Sequence, residues 1–109
     1  MHDANGSYAL DGLVGKASEL LKVIAEPHRL KALCLLRDKE QCVCDLMNEL
    51  GLSQPLVSHH LAVLRHAELV DFRRQGTSVL YSLRPERLQE LMGTIDQMLD
   101  INHQAEAAL

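Results

Sequence analysis

The sequence predicts a mainly α-helical domain that carries one small β-hairpin, and three observations predict it. Apolar residues recur at intervals of three and four along most of the chain, the spacing of a helix face. Two such runs flank Gly51 and the segment Ser53-Gln54-Pro55, which reads as helix, tight turn, helix. Two short alternating runs then surround Gln75-Gly76, the pattern of a hairpin. With 109 residues, 47% of them hydrophobic, the chain has room for one core and is too apolar to be disordered.

The elements follow in order. Residues 1–9 are polar and read as a flexible tail. Leu10, Leu13, Val14, Ala17, Leu20, Leu21 and Ile24 predict a first helix to about Ala25. Pro27 opens a second helix, His28 to Arg37, with Leu30, Leu33, Cys34 and Leu36 inward. Asp38-Lys39-Glu40 reads as a turn, and a third helix runs from Cys42 to Leu50 and stops at Gly51. Ser53 is a good N-cap for a fourth helix, Gln54 to about Ala67, which buries Leu56, Val57, Leu61 and Leu64. Leu69 to Arg74 and Thr77 to Leu83 form the hairpin. Pro85 opens a last helix with Leu88, Leu91, Met92, Ile95, Met98 and Leu99 on one stripe. A hairpin directly behind a helix-turn-helix is a wing, so the predicted fold is a winged helix-turn-helix of order α-α-α-α-β-β-α over residues 10–102, with a C-terminal tail at 103–109. Three short helices and a wing cannot cover the long stripes of the first and last helices, so these two are expected to build a homodimer.

Several function classes are excluded. The longest apolar run, Ala32 to Leu36, is far too short to span a membrane, and no secretory signal opens the chain. Three cysteines without a disulfide framework suit a reducing cytoplasm. Tyr8, Phe72 and Tyr81 are the whole aromatic complement, too few for a base-stacking binder of single strands, and no RNA partner is expected. An enzyme is not expected: there is no Gly-rich phosphate loop and no nucleophile with an oriented base.

The net charge of −4 argues against DNA only until it is divided. Residues 1–51 carry −2, residues 52–84 carry +2 and residues 85–109 carry −4. The middle third also holds His59, His60 and His66. In a recognition helix, Gln54, Ser58 and His59 stand where base edges are read, and Ser53 with the helix N-terminus suits a phosphate. Arg65 lies two turns along and can reach the backbone; Arg73 and Arg74 flank the wing tip. Blander readings stand beside these. Ser53 is an N-cap in any case, and His60, about 100° around from His59, is either a packing residue or a DNA contact. Arg73 and Arg74 also read as edge-strand charges that discourage aggregation.

Read in order, Ala25-Glu26-Pro27-His28-Arg29-Leu30, Cys42-Val43-Cys44-Asp45-Leu46, Leu52 through Leu61, Leu64 through Val70 and the wing Arg73 through Leu83 resemble the ArsR/SmtB family of winged-helix metal-responsive repressors. The resemblance covers about residues 10–100. It implies a homodimer, built by the first and last helices, that binds an inverted-repeat operator in double-stranded DNA, represses its own operon and leaves when an inducer binds.

Cys42, Val43, Cys44 and Asp45 match the cysteine metal box of the family's arsenic and cadmium branch. Thiolate is a soft ligand for As(III), Sb(III), Cd(II), Pb(II) or Zn(II), and As(III) or Sb(III) is the expected inducer, with no obligatory cofactor. On a regular helix these thiols point about 200° apart, so chelation would have to distort the first turn; the helix N-terminus should also lower their pKa. Met47 stands where the arsenic pattern has a third cysteine, which leaves the third ligand open between Cys34 and an exogenous thiol such as glutathione. The family's zinc site on the last helix lacks its Asp-x-His here, since Ser82-Leu83-Arg84 follows Tyr81, and is not expected. Cys34 reads as a buried core thiol or, with Cys42 and Cys44, as part of a redox or persulfide switch, the alternative to a metal(loid) sensor. A metal-buffering protein without a DNA role is the reading from another class.

Overall fold

The computed structural model describes residues 4–90 and Gly93, with side chains from Leu10 onward. Its elements are α1 (Ala4–Ile24), α2 (Pro27–Asp38), β1 (Gln41–Cys42), α3 (Val43–Leu50), α4 (Gln54–His66), β2 (Val70–Gln75) and β3 (Ser78–Leu83), followed by helical residues 85–90. The expected apolar stripe from Leu91 to Leu99 and the tail at 103–109 lie outside the described residues.

α1 begins six residues before the expected Leu10. Once the amphipathic run has nucleated a helix, each further residue needs only propagation, and no proline interrupts residues 4–9. Pro27 starts α2, and Glu26 caps it by accepting a hydrogen bond from the Arg29 amide at 2.8 Å. Ala32, Leu33 and Leu36 are its buried residues. Leu30 and Cys34, expected inward, face out: Leu30 is 46% exposed and the Cys34 thiol is free and exposed. The covered stripe of α2 lies two positions along from Leu30, where Ala32 lets neighbouring helices approach closely.

The hairpin is part of a three-stranded antiparallel sheet of order β1-β3-β2. Its extra strand was expected as a turn and a helix start. Instead Gln41 pairs with Tyr81 and Cys42 with Leu80. Gln41 is buried, and its side-chain amide donates to the Leu35 carbonyl at 3.2 Å, so the strand carries no orphaned polar group there. β2 and β3 pair from Val70 opposite Leu83 to Gln75 opposite Ser78. Only Val70 of β2 is buried, so the alternation in the sequence does not divide an inner from an outer face beyond the base of the wing.

α3 stops at Gly51, whose positive φ of 67° lets its amide bond the Met47 carbonyl at 2.9 Å. α4 ends differently: Glu68 takes φ 61°, and the Leu69 amide reaches back to the Leu64 carbonyl at 3.0 Å. That left-handed residue turns the chain from α4 into β2. Leu46, Val57, Leu61, Leu64, Leu69 and Val70 are the largest fully buried side chains. Each buried leucine contributes about 1.5–3 kcal/mol. They come from α3, α4 and the base of the wing, so the helix-turn-helix and the wing share one core. Leu56, expected in that core, is 49% exposed. The buried stripe of α4 is Val57, Leu61 and Leu64, and Leu56 falls about 100° to its side.

Candidate nucleic-acid interface and thiol pocket

Ser53, Gln54, Ser58 and His59 are all exposed on the first half of α4, as a base-reading end requires. Ser53 stands at the N-cap position but makes no side-chain capping bond, so its hydroxyl is left to other partners. Leu56, at 49% exposure, adds an apolar side chain to this polar surface where the sequence predicts a core residue, because a leucine on a helical stripe reads as core.

The arginines divide. Arg73 is tied within the molecule: its Nε and Nη2 donate to Glu40 Oε2 and Oε1 at 2.8 and 2.7 Å. That fork holds the Glu40 carboxyl below its ordinary value, chiefly by hydrogen bonding, against a smaller opposing push from burial. Arg65 lies over the Phe72 ring at 4.9 Å, and Phe72 packs on Tyr81 at 5.8 Å, so Arg65 joins α4 to the wing. Arg74 pairs with Val79 through its backbone, while its exposed guanidinium makes no hydrogen bond or ion pair among the described residues.

His60 is not with the exposed group. Its side chain is 13% exposed, and its ring stacks on His28 with centroids 5.7 Å apart. Nδ1 lies 3.3 Å from Arg29 Nη1 and 3.8 Å from Glu26 Oε2. Burial pulls its pKa below the ordinary value; the Glu26 carboxylate opposes this, and Arg29 and the other imidazoles reinforce it. Of the two readings of His60, packing is the one this geometry supports. The signal available in the sequence was Glu26-Pro27-His28-Arg29, a charged and imidazole-rich helix start that needs a partner.

The cysteines sit differently from the helical expectation. Cys42 has extended backbone (φ −79°, ψ 163°) and is both the last residue of β1 and the N-cap of α3. Its Sγ accepts a hydrogen bond from the Asp45 amide at 3.2 Å. The 200° separation belongs to two residues inside one helix; with Cys42 outside the helix it no longer applies. The Cys44 thiol beside it is the largest influence on Cys42 and raises its pKa, as do burial and the Asp45 carboxylate, against the Asp45 amide. The expected lowering by the helix N-terminus is therefore outweighed by the second thiol.

Cys42, Cys44, Val43 and Met47 line a cavity of about 270 Å³ whose far wall is Gln54 and the wing residues Thr77, Ser78 and Val79. The predicted metal pair and Gln54, expected to read a base edge, thus face the same space. Cys34 stands apart on the exposed face of α2 and lines no part of this cavity.

Among the described residues no helix is long and apolar enough to cross a membrane. Residues 26–71 match the family model described as "Bacterial regulatory protein, arsR family". The chain is 42% identical over 84 residues to an arsenical resistance operon repressor of Staphylococcus xylosus, covering 77% of each chain. It is 37% identical over 84 residues to an uncharacterized HTH-type transcriptional regulator of Methanocaldococcus jannaschii, covering 76% of this chain and 94% of that one. Among solved structures, reduced HlyU from Vibrio cholerae superposes with a TM-score of 0.69 at 35% identity, over 83% of this chain and 95% of that one. The relatives are transcriptional regulators rather than enzymes, and with its shared core of helix-turn-helix and wing this chain belongs to the ArsR family of winged helix-turn-helix regulators.

Proposed function

We propose that this protein represses transcription as a homodimer on an inverted-repeat operator in double-stranded DNA, and releases it when Cys42 and Cys44 take a thiophilic metal(loid), As(III) or Sb(III) first among them. The observation that carries the reading is the double role of Cys42. It is hydrogen-bonded into the sheet opposite Leu80 of the wing, and it caps the first helix of the helix-turn-helix pair. A ligand drawn to the thiol pair therefore adjoins both elements that would touch DNA.

In this arrangement α4 enters the major groove with Gln54, Ser58 and His59 toward base edges, and Arg74 lies along the backbone. The wing and the recognition helix are one body, through the shared core and the stack of Arg65 on Phe72. α1 supports the dimer: Leu10 (60%), Leu13 (41%), Val14 (43%) and Leu21 (44%) expose an apolar stripe suited to a second copy. The donor set fits a soft ligand. Two thiols stand side by side, Met47 offers only a weak thioether, and an external thiol such as glutathione completes a three-sulfur shell. The arsenical repressor of S. xylosus supports As(III) over Cd(II), Pb(II) or Zn(II).

The test is a titration of the protein bound to DNA from upstream of its own gene. As(III) should release it, and the Cys42→Ser, Cys44→Ser double variant should bind DNA as before and ignore As(III). Release of that double variant by As(III) overturns the reading. Release of the native protein by peroxide or polysulfide under a metal chelator, with no response to As(III), replaces it with a redox switch of the same cysteines, Cys34 included.

A further inference from the structure

We propose that Glu26, His28 and His60 form a second metal site, for a divalent cation of the zinc type (Zn(II), Co(II) or Ni(II)), separate from the cysteines and independent of the inducer reading. Among the described residues these three form a group of potential ligands in which one ligand atom from each lies within 4.8 Å of the others. Glu26 bridges the rings, with Oε1 3.0 Å from His28 Nδ1 and Oε2 3.8 Å from His60 Nδ1. Ligands around a tetrahedral zinc ion stand about 3.3 Å apart, so small side-chain rotations suffice to close the triad.

The donor chemistry selects the cation. Two imidazoles and one carboxylate are a zinc-type set, with room for water at the remaining position. Calcium and magnesium require oxygen ligands, and As(III) requires thiolates, so neither class competes for this triad. The site is also built in advance. Pro27 fixes the backbone between Glu26 and His28, the Arg29 amide holds Glu26 at 2.8 Å, and His60 projects from the buried side of α4. Arg29 opposes binding, because its Nη1 lies 3.3 Å from His60 Nδ1. It can yield that contact, since its firmer anchor is the bond from Nε to the Val23 carbonyl at 2.6 Å. An ion here would clamp the first turn of α2 to α4, the helix that carries Ser58 and His59.

The experiment uses the full chain with Cys34, Cys42 and Cys44 replaced by serine, titrated with Co(II) alone and then with Zn(II). The expected result is one Co(II) per chain with visible ligand-field absorption and no sulfur charge-transfer band, displaced by Zn(II), and a higher Tm with Zn(II). His28→Ala in that background should weaken binding at least tenfold while the circular dichroism spectrum is kept, because His28 is half-exposed and, among the described residues, its ring bonds to Glu26 and stacks on His60. Should the serine variant not fold, the native chain gives the same reading, since thiolate-bound Co(II) is distinguished by its charge-transfer band. Binding unchanged by His28→Ala, or lost instead on replacing His2 and His103, overturns the proposal, as does the absence of any stoichiometric binding.

Discussion

Two clusters of metal-competent side chains meet the helix-turn-helix pair, and they are held in opposite ways. Cys42 and Cys44 belong to one short stretch of chain where β1 becomes α3, with an open cavity in front of them. Glu26, His28 and His60 come from two helices packed on each other, and every member already has a partner. Soft thiol chemistry thus sits where strand pairing with the wing gives way to a helix start, and imidazole–carboxylate chemistry sits between two packed helices. The comparison teaches that one chain can keep soft and borderline donor sets apart, the thiols at a strand-to-helix junction and the imidazoles and carboxylate between helices.

α4 is common to both clusters, so the core beneath it gives the strongest test. Leu61→Ala removes a fully buried side chain and should cost about 2–5 kcal/mol in urea unfolding. Leu56→Ala, half-exposed on the same helix, should stay within about 0.5 kcal/mol in that assay while weakening operator binding. Equal losses of stability from the two would place Leu56 in a core that the structure does not give it.

The next effect concerns the thiol pair alone. Coupling between an effector site and DNA is ordinarily about 5–150-fold in affinity. Cys42→Ser with Cys44→Ser should abolish it for As(III), and His28→Ala should leave it intact, both read by fluorescence anisotropy of labelled operator. Serine caps a helix as cysteine does here, so the Tm of the double variant should change little. If His28→Ala also erases the As(III) response, the two clusters are one system and the comparison fails.

How much of this was legible in the sequence follows from what each signal encodes. Gly51 and Pro55 announced the helix-turn-helix because turn chemistry is local. Two residues of strand before α3 were not legible, because Gln41-Cys42 is a strand only by pairing with Tyr81 and Leu80, far along the chain. That missed pairing changed the site: it takes Cys42 out of the helix and places its thiol beside Cys44. The helical stripe placed Leu61 and Leu64 correctly and Leu56 wrongly, since periodicity gives a face about 100° wide but not its edge. Arg73 and Arg74 are neighbours of one residue type, and only the three-dimensional position of Glu40 tells them apart.

That division of the arginines predicts a difference in salt dependence. If Arg74 contacts one phosphate, Arg74→Ala should flatten the plot of log affinity against log salt by about 0.9 per subunit. Arg73→Ala should change the slope less, because its guanidinium is already matched by Glu40 in the free protein. Identical slopes for the two variants would mean that DNA draws Arg73 away from Glu40.

The smallest effect is the titration of Glu40 itself, and its sign is fixed by the geometry. Two hydrogen bonds from Arg73 favour the charged carboxylate, so its pKa lies below 4.5 in the folded protein. A carboxyl with a lowered pKa contributes stability that is fully present above its unfolded value and is lost as pH falls through the folded one. The pair should therefore hold the wing to the chain ahead of β1 at neutral pH and let go only in acid. Carbon-13 detection of the Glu40 carboxyl should show this titration midpoint, and Arg73→Ala should move it up toward 4.5. The pair is exposed, so added salt should move it the same way by a smaller amount. The Cys42 environment reports on the coupling: since β1 begins one residue after Glu40, the backbone amide shifts of Gln41 and Cys42 should follow the same midpoint. If those amides do not respond, the ion pair braces the wing without reaching the thiols, and the hydrogen bonds between β1 and β3 alone connect the cysteine pair to it.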